Sequence, residues 1–421
     1  MRFACVNLGC KVNRVEADSL TATLLGSGHT EVAQEEAQLV VVNTCTVTGE
    51  AEKKTRKAVR HALRAAPEAD VLVTGCAAAI DPSTYTSMSP RVRVVPKNLL
   101  VEEARACAAQ WGEGDEFCLQ GGLSQQQLAA VLAGETFRTR VGVKVQDGCN
   151  NACTYCIVHT ARGRAVSYPA EGVVAQCVAL ADAGVREIVL SGINLGSYVQ
   201  NGPSGGTLRL AGLLKQLLAA TCGTAEDGLP RVRFRIGSIE PRDVSDALVQ
   251  VMAQADGRIC RHLHLPLQSG SSRVLRQMAR PYSADFFCAL VERMRAAMPG
   301  LALSTDIIAG FPGETSEDFA QTLDVARACG FMKIHAFPYS LRTGTPAAAR
   351  DDQVDAETKG ARAAQLRELS ESLAAADRAQ RSGSTELALV EGAGRATTES
   401  YHEVLVADCC PSGSLVPYTF G

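Results

Sequence analysis

Three cysteines in one short segment constrain this chain more than any other feature of its sequence. Cys149, Cys153 and Cys156 are spaced as Cys-x3-Cys-x2-Cys and follow an apolar run, Val141 to Val145, that predicts a β-strand. A loop this short can place three thiolates around one face of a four-iron cluster, which leaves one iron without a protein ligand. A zinc site completed by His159 is the alternative, although zinc sites more often use paired Cys-x2-Cys spacing.

The composition limits what surrounds this motif. The chain has 421 residues, of which 46% are apolar and 21% charged, so we expect two or three packed domains and no long disordered part. A net charge of −3 excludes a general polyanion binder, and any nucleic-acid contact must come from local basic surface. No run approaches 18 apolar residues and the first residues do not resemble a secretion signal, so we expect a cytoplasmic protein without a membrane partner.

The order of apolar and helical segments predicts an α/β fold. Up to Leu100, short apolar runs alternate with helical stretches such as Glu50 to Arg64, which is typical of a layer built on a parallel sheet. A polar stretch then predicts a linker over 113–134 between a first domain, 1–112, and a second, 135–380. Six strand-like runs alternate with helices in the second domain and predict a partial or full (β/α) barrel. The last residues, 381–421, predict a short β appendage after a charged helix within 351–381.

A second, dispersed set of cysteines lies in the first domain. Cys10, Cys45 and Cys76 each follow an apolar strand-like run. All three could therefore meet at one edge of the sheet, because the carboxyl ends of parallel strands lie at the same edge. Single buried cysteines are common, so these residues alone leave a shared metal site and three core residues equally open.

Taken together, the motifs resemble those of a known family. The Cys-x3-Cys-x2-Cys segment, with Tyr155 before its last cysteine, is similar to the signature of radical S-adenosylmethionine enzymes. Cys10, Cys45 and Cys76 in their sequence contexts resemble the first domain of the methylthiotransferases within that superfamily. The resemblance covers roughly residues 3 to 350 and continues through further motifs: 191–194, 238–241, 264–271, 305–314 and 337–340.

The resemblance implies two 4Fe-4S clusters and S-adenosylmethionine as cofactors. Cys149, Cys153 and Cys156 would hold the cluster that cleaves S-adenosylmethionine, and Cys10, Cys45 and Cys76 an auxiliary cluster that carries the sulfur to be inserted. It also implies a set of residues around S-adenosylmethionine, without saying which atom each contacts: Tyr155, Ser191, Asn194, Ser238, Glu240, Gln268, Asp306 and Tyr339.

Basic residues near the two motifs are candidates for RNA contact. Lys53, Lys54 and Lys57 lie on a predicted helix just after Cys45, where a solvated helix face is the equally open alternative. Further candidates flank the cysteine motifs: Lys11, Arg162 and Arg164. The β appendage resembles a shortened form of the TRAM-like barrel that relatives use to bind RNA, but it has few basic residues.

The family has several branches with different substrates. The segment Gly9-Cys10-Lys11-Val12-Asn13 resembles the branch that methylthiolates carbon 2 of N6-threonylcarbamoyladenosine at position 37 of tRNA. The isopentenyladenosine branch typically has Gln and Met at the positions of Lys11 and Val12, and the branch that modifies a ribosomal protein has Pro and Lys. We therefore expect the tRNA anticodon loop, an external electron donor and a sulfur source as partners, and no DNA. The alternatives are isopentenyladenosine, a ribosomal protein side chain, and a zinc-stabilised RNA-binding protein without catalysis.

Overall fold

The computed structural model describes residues 1–46, 48–110, 124–134, 137–202 and 205–421. The first domain is a five-stranded parallel sheet in the order β2-β1-β3-β4-β5, with helices on both faces. Strand β3 is buried along its whole length, as a central strand rich in valine predicts. The elements of this domain are β1 (Arg2–Asn7), α1 (Lys11–Gly26), β2 (Thr30–Glu31), β3 (Leu39–Thr44), α2 (Gly49–Ala65), β4 (Asp70–Gly75), α3 (Cys76–Ile80), α4 (Ser83–Thr86), β5 (Val92–Val94) and α5 (Leu100–Gln110).

The predicted linker is wrong in its second half. Residues 113–123 lie outside the described residues, but Ser124 caps a helix, α6 (Gln125–Leu132), through a reciprocal pair of bonds with Gln127. Ala129 and Leu132 are 2% and 3% exposed and belong to the barrel core. Helix α6 packs between α1 and a barrel helix, α8 (Ala170–Asp182), so it joins the two domains instead of separating them.

The second domain is an open barrel of six parallel strands, as predicted. Three strands pair in the order β12-β9-β6 and three in the order β13-β14-β15, and a parallel bridge between Ser238 and His264 joins the two sets. Strand β13 is short and ends at His264. The further elements are β6 (Arg140–Lys144), β7 (Gln146–Asp147), α7 (Val158–Arg162), β8 (Val166–Ser167), β9 (Glu187–Ser191), β10 (Val199–Asn201), β11 (Thr207–Arg209), α9 (Leu210–Ala220), β12 (Arg233–Ile236), α10 (Asp246–Ala253), β13 (His262–His264), α11 (Ser272–Gln277), α12 (Ala284–Ala297), β14 (Ala302–Ala309), α13 (Ser316–Cys329), β15 (Lys333–Pro338) and α14 (Ala356–Gln380).

The C-terminal appendage is a four-stranded antiparallel sheet in the order β18-β17-β16-β19. Its strands are β16 (Thr385–Gly392), β17 (Arg395–Thr398), β18 (Glu403–Leu405) and β19 (Leu415–Thr419). Two arginines of β12, Arg233 and Arg235, are buried and donate to backbone carbonyls of this sheet, including Leu387 O at 2.7 Å and Thr398 O at 2.9 Å. Both also bond to the buried carboxylate of Glu187, so the appendage is docked on the barrel through a charged network.

No helix in the described part of the chain combines the length and apolar character needed to cross a membrane.

Candidate active site

The three cysteines of the first domain meet at one edge of its sheet. Cys10 follows β1, Cys45 follows β3 and Cys76 follows β4, and these strands are neighbours in the order β1-β3-β4. Cys45 and Cys76 are 2% and 5% exposed, and Cys10 is half-buried. The sheet topology thus brings together residues that are far apart in sequence, as predicted.

Two glycines allow the cysteine loops to approach this closely. Gly9 has a φ of +114°, and a side-chain Cβ there would lie 2.6 Å from Cys45 Sγ. Gly75 has a φ of +98°, and a Cβ there would lie 2.4 Å from Thr44 O. Any other residue at either position would strain the backbone and push the cysteine loops apart.

Asn13 links the first two loops. Its Nδ2 donates to Leu8 O at 3.0 Å and to Thr44 O at 2.8 Å, which are the residues just before the two cysteine segments. Its Oδ1 accepts from Arg162 Nη2 at 2.5 Å. The sequence pattern marked Asn13 only as part of a motif, because its role depends on residues that are distant in the chain.

The Cys149 loop begins just after β7 at the mouth of the barrel. Cys149 Sγ accepts from the Asn151 backbone N–H and Cys156 Sγ from that of Val158, each at 3.4 Å. Cys153 Sγ accepts from Arg280 Nη1 at 3.2 Å. The loop lines a cavity of about 550 Å³, together with the segment 344–346.

These surroundings fit a metal cluster. Burial raises the pKa of the Cys156 thiol to about 11, and a bound metal would lower it by stabilising the thiolate. Backbone N–H and guanidinium donors to cysteine sulfur are the contacts that tune iron-sulfur clusters. Among the described residues, the set of three potential ligands whose ligand atoms all lie within 4.8 Å is His264, Asp306 and His335.

Several residues predicted to surround S-adenosylmethionine lie together at the barrel mouth. Glu240 forms an ion pair with Arg280, whose Nη1 also lies 3.5 Å from Tyr155 Oη. Tyr339 packs edge-on against Phe311, with ring centroids 5.7 Å apart. The sequence pattern missed Arg280, which is 7% exposed and connects the cysteine loop to the barrel.

A row of polar side chains leads from Asp306 into the barrel interior. Asp306 Oδ2 lies 3.3 Å from His264 Nε2, and Ser304 Oγ lies 3.0 Å from both His264 Nδ1 and His262 Nε2. His262 Nδ1 is buried and has no hydrogen-bond partner among the described residues.

The other residues predicted to surround S-adenosylmethionine also lie at or near strand ends. Ser191 ends β9 and Asn194 follows it, and the backbone N–H of Asn194 donates to Gln146 Oε1 at 2.8 Å. Ser238 follows β12, and Gln268 has a φ of +64° and is 8% exposed. Contact of these residues with S-adenosylmethionine stays a prediction.

A second cavity, of about 350 Å³, lies where the three parts of the chain meet. It is lined by five cationic side chains and one carboxylate, which are Lys11, Arg14, Arg138, Arg140, Arg235 and Asp18. Cys10 lines the same cavity, as does Tyr401 from the C-terminal sheet. Tyr401 stacks on His262 with ring centroids 4.7 Å apart, and its φ is +72°. Burial alone would raise the pKa of Tyr401, but Lys11, Arg140 and Arg235 outweigh it and lower the pKa.

The candidate RNA-contact residues differ in their exposure to solvent. Lys53, Lys54 and Lys57 are exposed on α2, and Arg164 is exposed beside the Cys149 loop. The prediction for Arg162 is wrong, because its side chain is 2% exposed. Its guanidinium is bonded to Glu16, Asp147, Asn13 and Cys76 and has no surface left for a phosphate.

Comparisons with known proteins agree with this geometry. The profile of the Radical SAM superfamily matches residues 143–326, and that of the Uncharacterized protein family UPF0004 matches residues 2–96. The threonylcarbamoyladenosine tRNA methylthiotransferase MtaB of Bacillus subtilis (strain 168) is 39% identical over 87% of this chain and 80% of its own length. The tRNA-2-methylthio-N(6)-dimethylallyladenosine synthase of Mycolicibacterium paratuberculosis is 38% identical over 92% of this chain and 75% of its own length.

Solved structures share the fold at low sequence identity. The radical S-adenosylmethionine methyltransferase TsrM from Kitasatospora setae has a TM-score of 0.58 at 15% identity, covering 82% of this chain and 77% of that one. The match supports the partial barrel. The similarity to curated relatives over most of their length, together with both cysteine sets in place, shows that the chain belongs to the tRNA methylthiotransferases of the radical S-adenosylmethionine superfamily.

Proposed function

We propose that this enzyme adds a methylthio group to carbon 2 of N6-threonylcarbamoyladenosine at position 37 of tRNA, using two molecules of S-adenosylmethionine per product. Three relatives named for threonylcarbamoyladenosine are 34% to 39% identical to the chain. Relatives named for dimethylallyladenosine are 36% to 38% identical, so identity alone does not separate the two substrates.

The charge of the 350 Å³ cavity is the observation that carries the substrate proposal. Arg14 pairs with Asp18, Arg140 with Glu391 and Arg235 with Glu187. Lys11 and Arg138, in contrast, have no ion-pair partner among the described residues. Lys11 Nζ lies 5.1 Å from the centre of the Tyr401 ring.

A threonylcarbamoyl group ends in a carboxylate, which would complete the charge balance around Lys11. A dimethylallyl group is apolar and would instead exclude water from unpaired cations at a cost of several kcal/mol. The cavity also contains Cys10, so a substituent held by Lys11 would lie beside the auxiliary cysteine set.

The two cysteine sets have separate roles in this proposal. We assign Cys149, Cys153 and Cys156 to the cluster that binds S-adenosylmethionine, and Cys10, Cys45 and Cys76 to the auxiliary cluster. When bound, these groups supply the electron, the deoxyadenosyl radical and the sulfur. The protein's own contribution is positional: Asn13 and Arg162 hold the two loops together, and Arg280 ties the Cys149 loop to Glu240.

The partners follow from this assignment. Reductive cleavage needs an external electron donor, and each turnover removes a sulfur that an outside source must replace. The single-stranded anticodon loop allows the target base to be turned into the barrel at a cost of a few kcal/mol. A tRNA substrate implies an enzyme of the cytoplasm, with no membrane or DNA partner.

The test uses anaerobically purified enzyme with tRNA that bears either threonylcarbamoyl- or isopentenyl-adenosine. We expect preferential methylthiolation of the first, measured by mass spectrometry of nucleosides. The Lys11→Gln variant should lose about ten- to a hundredfold in rate on threonylcarbamoyladenosine, because a hydrogen bond to a charged group contributes about 1.5–3 kcal/mol. Lys215→Gln, on the outer helix α9, is the matched control.

Two results would redirect the proposal. Preferential reaction with the isopentenyl form would overturn the substrate and leave the enzyme class intact. A gain of mass by a ribosomal protein, with none by RNA, would move the chain to the protein-modifying branch.

A further inference from the structure

A segment at the end of the barrel, 340–347, runs from one cysteine set to the other. At its start, Ser340 Oγ accepts from the backbone N–H of Gly49, the first residue of α2, at 3.0 Å. At its end, the backbone N–H of Ala347 donates to Thr154 O within the second cysteine motif at 2.9 Å. Residues between them, 344–346, line the cavity of the Cys149 loop. The segment therefore crosses the space between the two sites.

Arg342 lies in this segment, on the side of the auxiliary set. Its side chain is 7% exposed, and Nη1 donates to Glu52 Oε1 at 2.9 Å. The same carboxylate oxygen accepts from the hydroxyl of Thr46, the residue after Cys45, at 2.6 Å. Burial lowers the pKa of Arg342, and the opposing effects of Glu52 and Cys45 do not outweigh it.

Two further N–H donors of this guanidinium are unpaired. Nε and Nη2 of Arg342 are buried and have no hydrogen-bond partner among the described residues. Leaving a buried donor unpaired costs about 1–3 kcal/mol, and more for a charged group. Native proteins rarely tolerate this without a ligand or water at that place.

We propose that Arg342 binds an anionic sulfur ligand, a sulfide or thiolate, at the auxiliary cluster. The proposal rests on the assignment of Cys10, Cys45 and Cys76 as cluster ligands. A guanidinium presents its N–H groups in a planar fork and is more weakly hydrated than an ammonium, which suits a large, weakly hydrated anion such as a thiolate. Its place beside Cys45 and Glu52 directs it to the sulfur of the auxiliary site and away from the carboxylate of S-adenosylmethionine, which belongs at the Cys149 loop.

Binding at Arg342 would position the sulfur as well as hold it. The segment 340–347 is held at one end by the hydroxyl of Ser340 and at the other by the backbone N–H of Ala347. A sulfur atom that accepts from Nε and Nη2 would therefore be held at a defined place relative to both cysteine sets. Arg342 is in this sense a positioning residue.

The test measures thiolate binding without turnover. The full chain carrying Cys149→Ala, Cys153→Ala and Cys156→Ala retains only the auxiliary cluster, so that its reduced paramagnetic spectrum can be read alone. Sodium methanethiolate is titrated into this protein and into versions that also carry Arg342→Met or Arg342→Lys. Arg327→Met, on the outer helix α13, is the control.

We expect Arg342→Met to weaken methanethiolate binding at least tenfold and the control to leave it unchanged. Arg342→Lys should lie between them, because it keeps the charge and loses the fork. Glu52→Gln should bind methanethiolate more tightly than the parent, since Arg342 then has no competing anion. If Arg342→Met does not hold iron, the methanethiolate affinities of Arg342→Lys and Glu52→Gln test the proposal instead.

Equal binding by the parent and the Arg342 variants would overturn the proposal and leave water as the partner of these N–H groups. A second contrary result is possible: the Arg342 variants could keep the parent's thiolate affinity but bind S-adenosylmethionine more weakly when both clusters are present. This would overturn the proposal and indicate that Arg342 binds the methionyl carboxylate. Absence of iron from the parent triple variant would refute the auxiliary cluster, and with it this proposal. None of these results depends on which tRNA base is modified.

Discussion

Arg162 Nε donates to Cys76 Sγ over 3.2 Å and so connects the two cysteine sets directly. Arg162 ends the short helix that follows Cys156, whereas Cys76 begins the helix after β4 in the first domain. The same guanidinium donates to Glu16 at 3.0 Å and to Asp147 at 2.9 Å. One buried side chain thus fixes the distance between two sites that must act on one substrate.

The iron content of the enzyme should show that the two cysteine sets bind clusters independently. Each cysteine set completes one four-iron cluster, so the reconstituted enzyme should hold roughly eight irons per chain. Replacing Cys149, Cys153 and Cys156 by alanine should halve this value, and replacing the other three cysteines should do the same. Iron and sulfide analysis measures it; loss of all iron in either variant would show that the sites are not independent.

Removing the Arg162 guanidinium should destabilise the protein. Arg162→Met leaves two partly buried carboxylates with fewer partners. We expect the free energy of unfolding to fall by roughly 2 kcal/mol, because a hydrogen bond to a charged group contributes about 1.5–3 kcal/mol. Arg164→Met is the matched control, because Arg164 is exposed and only two residues away. Urea unfolding gives both values. Equal stability of the two variants would show that Lys97 and Lys144 compensate fully.

The same variant should change how stability depends on pH. Burial alone would raise the pKa of Glu16, but Arg162, Lys97 and Lys144 outweigh it and lower the pKa below 4.5. The pKa of Asp147 is lowered below 3.8 in the same way by Arg162 and Lys144. Folded pKa values below the unfolded ones contribute stability at neutral pH that is lost as the pH falls through them. The parent should therefore lose more stability than Arg162→Met between pH 5 and the acid limit.

Docking of the C-terminal sheet should depend on Glu187. Burial alone would raise its pKa, but Arg235 and Arg233 lower it to about 2, so it is ionised at neutral pH. Glu187→Gln would leave two buried guanidinium groups without an anion, which costs about 3–5 kcal/mol. Hydrogen exchange should increase over 385–419 and stay unchanged in the first-domain sheet. Glu403→Gln, at an exposed position of β18, is the control. Faster exchange in both variants would contradict a specific role for Glu187.

The exposed basic face of α2 should contribute to tRNA binding. Charge reversal at Lys53, Lys54 and Lys57 should weaken binding and reduce the slope of log K against log salt by about one for each phosphate that these lysines neutralise. Reversal at Lys215, Arg293 and Arg327, on the outer helices α9, α12 and α13, changes the net charge equally and is the control. An identical slope in both triple variants would assign α2 to a solvated face.

The sequence by itself determined the fold class and the two cysteine sets. Strand-forming valine runs, helical spacing and the Cys-x3-Cys-x2-Cys loop are local patterns. Each depends on residues that are close together in the sequence, so it can be read without knowing the tertiary structure. The family could be identified from these patterns for the same reason. The convergence of Cys10, Cys45 and Cys76 also followed from sequence, because parallel strands end at one edge of a sheet.

Only the tertiary structure decided which charged side chains are exposed and can bind a ligand, and which are enclosed by partners within the protein. Arg162 and Arg164 are two residues apart and look alike in the sequence, yet one is enclosed by Glu16 and Asp147 and the other is exposed. Tyr401 reaches Lys11, and Arg342 reaches Glu52, across most of the chain. Such contacts depend on how domains pack against one another. No local periodicity encodes that packing, because burial of a charge is set by partners that the chain brings from elsewhere.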